Sequence, residues 1–415
     1  MRDQVPNAPR RVAVVVAGAG ARGGYEAGAL SVLVPRLHDA GTDIAVYVGT
    51  SAGAINATIF AALSHLHPVE QAQQALEVWR GISVSDVFRS PLVSSPGLAA
   101  RWAGQILQVP GMRLTSLVDT EPLRRKAEHA IDWKQLRRNI AEGNTSLAVV
   151  ATSGADNRTV VFVDRAGDGH VPPPDDDRPI HYAATQIGPE HVLASSAIPI
   201  VFPPVRISEP PGWDGWYLDG GVRLNAPLKP ALALGADAIA VVATHPVTDS
   251  STSPSVDGPP PDVDDVIVRL LDAALVDRTI EDLRTLAKVN TLIDSSNAET
   301  PSGRVRKQVP YLAVTPEERG TLGELAELIF DEQRHRWRGA SKMLRHSELR
   351  LLGRALGGDG PRRGDLFSYL YFDPEFIEAS IELGRRDAEA LFDEQTQVPW
   401  QVGPRQLVEA FRSKR

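Results

Sequence analysis

Twice within its first 66 residues the chain runs from a buried-strand pattern through a glycine-bounded turn into a helical pattern. Val12 to Ala17 is an unbroken run of valine and alanine, the composition of a parallel strand covered on both faces. Gly18-Ala19-Gly20-Ala21-Arg22-Gly23-Gly24 follows, and a helix is expected from about Tyr25 to Asp39. Ile44 to Val48 repeats the strand pattern, enters Gly49-Thr50-Ser51-Ala52-Gly53, and leads to a helical stretch through Ile55 to Leu66. Two strand–turn–helix units in succession argue for α/β architecture.

The rest of the chain extends that pattern. Val69 to Trp79 reads as helix, and Ser146 to Thr152 and Thr159 to Val163 read as strands joined by a polar turn around Gly154 to Asn157. Ser90 to Leu114 is mixed in character, and two readings stay open for it: a mobile cover or a packed loop. Pro172 to Pro179 is a poor site for regular structure, and another helix leads into Ser195-Ser196-Ala197-Ile198-Pro199. Trp216-Tyr217-Leu218 approaches Asp219-Gly220-Gly221, Ala238 to Ala243 restores the buried-strand pattern, and Pro246 to Asp262 is the best linker. Beyond it, helix is expected over Asp264 to Leu292, Leu322 to Ile329, Asp331 to Leu344, Glu348 to Leu356 and Pro374 to Leu391, with a strand at Val309 to Thr315. The expected organisation is an N-terminal tail at 1–10, a single domain over 11–390 and a polar tail at 391–415.

Composition narrows the chemistry. A hydrophobic fraction of 42% in 415 residues describes a folded chain able to bury a large core. The net charge of -8 gives no general basis for binding nucleic acid, and the basic runs at Arg124 to Lys126 and Arg137-Arg138 read as helix surface. The absence of cysteine excludes disulfides, thiolate catalysis and cysteine-ligated metals. Met1 to Arg11 is polar, and the apolar run of Val12 to Ala21 is too short to cross a bilayer. A soluble, cytoplasmic location is therefore expected, with contact at a membrane surface left open. Neither a cofactor nor a metal is expected.

The five residues Gly49 to Gly53 satisfy the nucleophile-elbow pattern, and they sit between a strand and a helix as that pattern requires. Small neighbours let Ser51 occupy a sharp turn with its hydroxyl exposed, and the amides of the following helix face developing negative charge. The plainer reading of Ser51 is a helix cap between two glycines.

The earlier loop, Gly18 to Gly24, can be counted as a dinucleotide-binding glycine pattern. That reading fails at the second strand, which enters Gly49-Thr50-Ser51 where an acidic residue would be needed for the ribose. An oxyanion loop is the better use, because Gly18 and Gly20 clear side chains from around backbone donors. For Arg22 three roles are open: bracing the loop, meeting an acidic head group, or a partly buried salt bridge.

Taken together, Ser51, the first glycine loop and Asp219-Gly220-Gly221 resemble the patatin-like phospholipase family. Asp119 to Leu123, Ala194 to Pro199 with Phe202-Pro203-Pro204, Tyr369 to Pro374 and Glu382-Leu383-Gly384 carry the resemblance further, over roughly residues 11–390. It implies a three-layer α/β/α fold with a central, mostly parallel sheet and additional C-terminal helices. It also implies a lipid ester hydrolase in which Ser51 is the nucleophile and Asp219 the base, without a histidine relay. The oxyanion role falls on Gly18, Ala19, Gly20, Ala21, Arg22 and Gly23, and Gly49 and Gly53 bound the elbow. Without the resemblance, Asp219 reads as a turn acid capping backbone donors. Ala19 departs from a frequent glycine, and Ile200 departs from a smaller residue and would shape the acyl pocket. Ser195 and Ser196 read as turn residues, His181 and His191 as structural, and Asn225 as a tie for the loop after Asp219. An acyltransferase using the same acyl-serine intermediate, and an impaired lipid-binding protein, are the alternative functions.

Overall fold

The structure is a computed structural model that describes residues 11–88, 116, 118–167, 170–246, 277–295, 307–336, 363–392 and 398–403. The expected cover at Ser90 to Leu114 and the helix at Glu348 to Leu356 lie outside them, as do the linker after Pro246 and the start of the helix after Asp264.

The two opening units form as their patterns predict. Strand β1 (Arg11–Val16) leads to a 3-10 turn and helix α1 (Gly23–Asp39), and β2 (Asp43–Thr50) leads to α2 (Ala52–Ala62), after which come α3 (Pro68–Arg80), α4 (Val84–Val87), α5 (Glu121–Ala130) and α6 (Trp133–Ala141). Both strands pair in parallel, and β1 also pairs in parallel with β8 (Ala238–Val242), which pairs in parallel with β9 (Tyr311–Val314). On the other side β2 pairs in parallel with β3 (Leu147–Ser153), and β4 (Thr159–Asp164) returns antiparallel to β3. Strand β5 (Ile180–Ala184) closes that edge, parallel to β4.

Strand period decides the layers. Val12, Val14 and Val16 of β1 pack in the same cluster as Leu30 and Leu33 of α1 and Phe60 of α2. Ala13 and Val15 point to the other face, with Ala231 of α8 (Leu228–Ala233) and Leu283 of α9 (Asp277–Ser295). The result is an α/β/α sandwich around a mostly parallel mixed sheet.

Several elements differ from expectation. Strand β5, whose apolar run is broken by His181, and the three-residue β6 (Val205–Ile207) carry no clear strand signal in sequence, and they are ordered by the neighbours that pair with them. Helix α10 (Thr321–Arg336) continues unbroken through Phe330-Asp331, where the pattern suggested two helices. Helix α11 (Arg363–Leu370) precedes α12 (Pro374–Phe392), which lies on α1. The crossing is close because methyl groups at Gly28 or Gly384 would collide with the carbonyls of Ile381 and Tyr25 respectively. Residues assigned to the polar terminal stretch also return to the sheet edge, where Gln401 bridges Tyr311 and Trp400 is buried. No described helix is long and apolar enough to cross a membrane.

Candidate active site

One edge of β3 is shared by two strands. Strand β2 occupies it up to Thr50, which faces Val150. Strand β7 (Gly215–Asp219) occupies the rest, running antiparallel from Ser153 down to Asp219, which faces Ala151. The C-terminal ends of β2 and β7 therefore meet head to head, and each chain must leave the sheet there. Gly220 makes the encounter feasible, since a methyl group on it would collide with the Val150 carbonyl.

Ser51 leaves β2 at φ 55° and ψ -127°, a conformation that side chains rarely adopt and that tertiary contacts must hold. Its amide donates to Ser195 Oγ at 2.9 Å, and Ser195 Oγ donates onward to the Val150 carbonyl at 2.6 Å. Ser195 thus braces the turn, a role beyond satisfying its own helix end on α7 (Pro189–Ser195), whereas Ser196 bonds locally to Val192 O. The bounding glycines permit tight passage. A methyl group at Gly49 would collide with Gly53 O, and one at Gly53 with the carbonyls of Val16 and Ala17. Gly53→Ala is expected to lower stability by about 2 kcal/mol or more through overpacking against backbone, read as a falling denaturation midpoint at unchanged m-value. An unchanged midpoint would mean that the elbow has room the geometry denies.

This arrangement brings Ser51 Oγ within 2.7 Å of Asp219 Oδ2, to which it donates. Asp219 is fully buried and Ser51 is 5% exposed. Asp219 Oδ1 accepts the Gly221 amide at 2.7 Å, and Thr152 Oγ1 donates to the Asp219 carbonyl at 2.9 Å. Burial pushes the Asp219 carboxyl up to about 7, against the lowering effect of the hydrogen bonds from Ser51 and Gly221. A carboxylate that takes up a proton near neutral pH, in contact with a hydroxyl, is competent to act as a general base.

The first glycine loop lies against the same turn, since a methyl group at Gly18 would stand 3.2 Å from Ser51 Cβ. Not all its amides are free to serve an oxyanion. Gly18 N–H donates to Asn225 Oδ1 at 3.0 Å, Arg22 N–H to Ala19 O at 3.1 Å, and Gly23 N–H to Gly20 O. The amides of Ala19, Gly20 and Ala21 have no acceptor among the described residues. Ala19 sits at φ -143°, where a methyl group costs nothing, and its side chain is buried in an apolar cluster.

Arg22 braces the loop and does not reach solvent. Its Nε donates to Ser368 Oγ at 2.8 Å, its Nη1 lies 3.3 Å from His245 Nε2, and its guanidinium stacks 4.2 Å from the Tyr369 ring centre. Burial, reinforced by Arg22 and Arg319, holds His245 well below the usual histidine range, so its imidazole is neutral beside Arg22. Asn56 of α2 ties the end of the loop to the elbow helix by donating to Gly23 O at 3.0 Å.

The remaining sequence candidates fall elsewhere. His191 is buried, with its ring nitrogens at 3.1 Å from the Gly188 amide and 3.3 Å from Glu209 O, and His181 packs against Trp213. Ile200 stands 63% exposed at φ 72°. Among the described residues no cluster of three or more His, Asp or Glu is arranged to hold a metal ion.

Fold and site define a class: an α/β/α protein presenting a serine on a strand-to-helix turn beside a buried carboxylate. The sequence description of the patatin-like phospholipase family matches residues 14–232, more than half of the chain. The protein belongs to that family, which is a family of hydrolases. The matched span ends within α8, short of the C-terminal helices that carried part of the resemblance. No curated protein matches the chain. Among solved structures, the crystal structure of VipD from Legionella pneumophila is similar at 12% identity, over 93% of this chain and 67% of that one. The TM-score of that superposition is 0.35.

Proposed function

We propose that the protein is a serine acyl-ester hydrolase acting on lipids, with Ser51 as nucleophile and Asp219 as general base. The observation that carries this reading is the buried 2.7 Å contact between Ser51 Oγ and Asp219 Oδ2. Ser51 Oγ attacks the ester carbonyl as its proton passes to Asp219, and the carbonyl electrons move onto oxygen. Amides from Ala19 to Ala21 then stabilise the oxyanion. Collapse breaks the bond to the leaving alcohol, which takes the proton from Asp219 and leaves an acyl-serine. Water attacks that ester while Asp219 accepts its proton, and collapse releases the acid and returns a proton to Ser51.

Lipid is the favoured substrate because the chain is a patatin-like phospholipase by family. The enzyme would then work in peripheral contact with a lipid surface, from the cytoplasm. A product-resolved assay tests the reading. Wild type is incubated with a mixed panel of phospholipids and smaller lipid esters, in water supplemented with alcohol and amine acceptors, with Ser51→Ala as the blank. Free fatty acid formed by wild type alone is the expected result. Acylated acceptor in place of acid would replace hydrolysis by transfer, and equal products from both proteins would sink the assignment.

A further inference from the structure

Asp219 and Asn225 lie on one short segment that touches every part of the candidate site. The Leu224 carbonyl accepts Thr50 Oγ1 at 3.0 Å, just before the elbow serine. The next residue, Asn225, is buried and reaches across 207 positions to a single residue, Gly18. Its Oδ1 accepts the Gly18 amide at 3.0 Å, its backbone carbonyl accepts the same amide at 3.3 Å, and its Nδ2 faces Gly18 O at 3.5 Å.

These contacts act on the neighbouring peptide unit. Gly18 C=O and Ala19 N–H belong to one planar trans peptide, in which carbonyl and amide point in opposite directions. A side chain that holds Gly18 O toward itself therefore turns Ala19 N–H away from itself. Gly18 N–H is occupied by the same side chain, whereas Ala19, Gly20 and Ala21 are the loop amides with no acceptor among the described residues. The boundary between committed and available donors thus falls at the peptide that Asn225 holds. Gly18 also lies against Ser51 Cβ, so a rotation of this peptide occurs next to the reacting oxygen.

We propose that Asn225 is a positioning residue for the oxyanion hole: its carboxamide holds the Gly18 peptide so that Ala19 N–H is aimed at the oxygen that becomes negative. This rests on the hydrolase reading above. Asn225 acts by direction, since it contacts backbone and carries no proton in the reaction.

The experiment compares wild type, Asn225→Ala, Asn225→Ser and Ser51→Ala on a chromogenic acyl ester. Active sites are counted by a fluorophosphonate, and affinity is measured for an alkyl trifluoromethyl ketone, whose serine adduct carries an oxyanion. For N225A, kcat is expected to fall about 10- to 100-fold with KM within about twofold, below the loss for deleting a donor outright. The ketone should bind weaker by the same factor per titratable site, while the count of sites stays at the wild-type level. N225S keeps a hydroxyl that can meet the Gly18 peptide, so it should recover part of the loss, and it stands in if N225A does not fold. Retained kcat in N225A would overturn the proposal, as would a loss confined to the number of titratable sites with unchanged ketone affinity. Wild type that neither turns over ester nor labels at Ser51 would remove the hydrolase reading and this inference with it. Active wild type with an equally active N225A removes the inference alone.

Discussion

Replacing Ser51 with alanine is expected to lower ester turnover by about five to six orders of magnitude, with only a modest loss of stability. The size follows from what is deleted: no attacking oxygen remains, no acyl-serine forms, and loss of a nucleophile from a cooperating set removes most of its advantage at once. Alanine fits the space and keeps the same backbone demand at φ 55°, so the stability cost is that of the donor lost to buried Asp219 Oδ2, about 1–3 kcal/mol. Its amide still donates to Ser195 Oγ, so the turn keeps its brace. Glycine at the same position should be equally inactive but more stable than alanine, since it meets that backbone conformation without strain of about 1–3 kcal/mol. Turnover, fluorophosphonate labelling and urea midpoints of the three proteins decide the matter. Labelling of S51A at a wild-type rate would show that another residue carries the chemistry.

Replacing Asp219 with asparagine should cost about three to four orders of magnitude in turnover and make the protein more stable above neutral pH. The activity loss follows from removing a general base without disturbing shape. An asparagine can accept the Gly221 amide through Oδ1 and donate to Ser51 Oγ through Nδ2, although the Ser51 hydroxyl then loses the acceptor it had in Oδ2, which trims the gain. The stability gain follows from linkage. Burial raises the folded-state pKa from 3.8 to about 7, so between those values the native protein holds a proton that the unfolded chain has lost. Stability from this group is fully present below about pH 4, declines as pH rises, and is lost once pH passes about 7.

Asparagine has no such loss, so D219N should exceed wild type by on the order of a few kcal/mol at pH 8 and converge toward it near pH 4. Scanning calorimetry from pH 4.5 to 8.5 measures the gap. Wild-type kcat/KM should rise with pH through about 7 and then level, because the base must be ionised. A D219N protein no more stable than wild type at pH 8 would contradict the burial argument, and an acid limb well below pH 6 would place the base elsewhere.

The sandwich was legible where signals were long and local. Valine at alternate positions of β1 serves both faces, and a continuous apolar run announces that the strand is covered twice. Strands β5 and β6 are not legible, because His181 breaks the apolar run of one and the other is only Val205-Arg206-Ile207; their order comes from pairing with β4 and β7. Polar composition predicts a tail around Gln401, yet the backbone groups of that residue find partners on Tyr311.

The elbow is written in its own five residues. A strand that must end, a serine that must turn sharply and glycines that must lack side chains all act within five residues, so their constraints are written locally at Gly49 to Gly53. Tertiary structure alone decided what the serine meets. Asp219 reaches Ser51 because β2 and β7 end against each other on one edge of β3, and no spacing within a 168-residue interval specifies that encounter. Ser195 became the brace of the turn, and Asn225 the holder of Gly18, for the same reason. The oxyanion loop divides between these two sources: its glycines are visible in sequence, but which of its amides are spent and which are free depends on acceptors that only the folded chain brings to them.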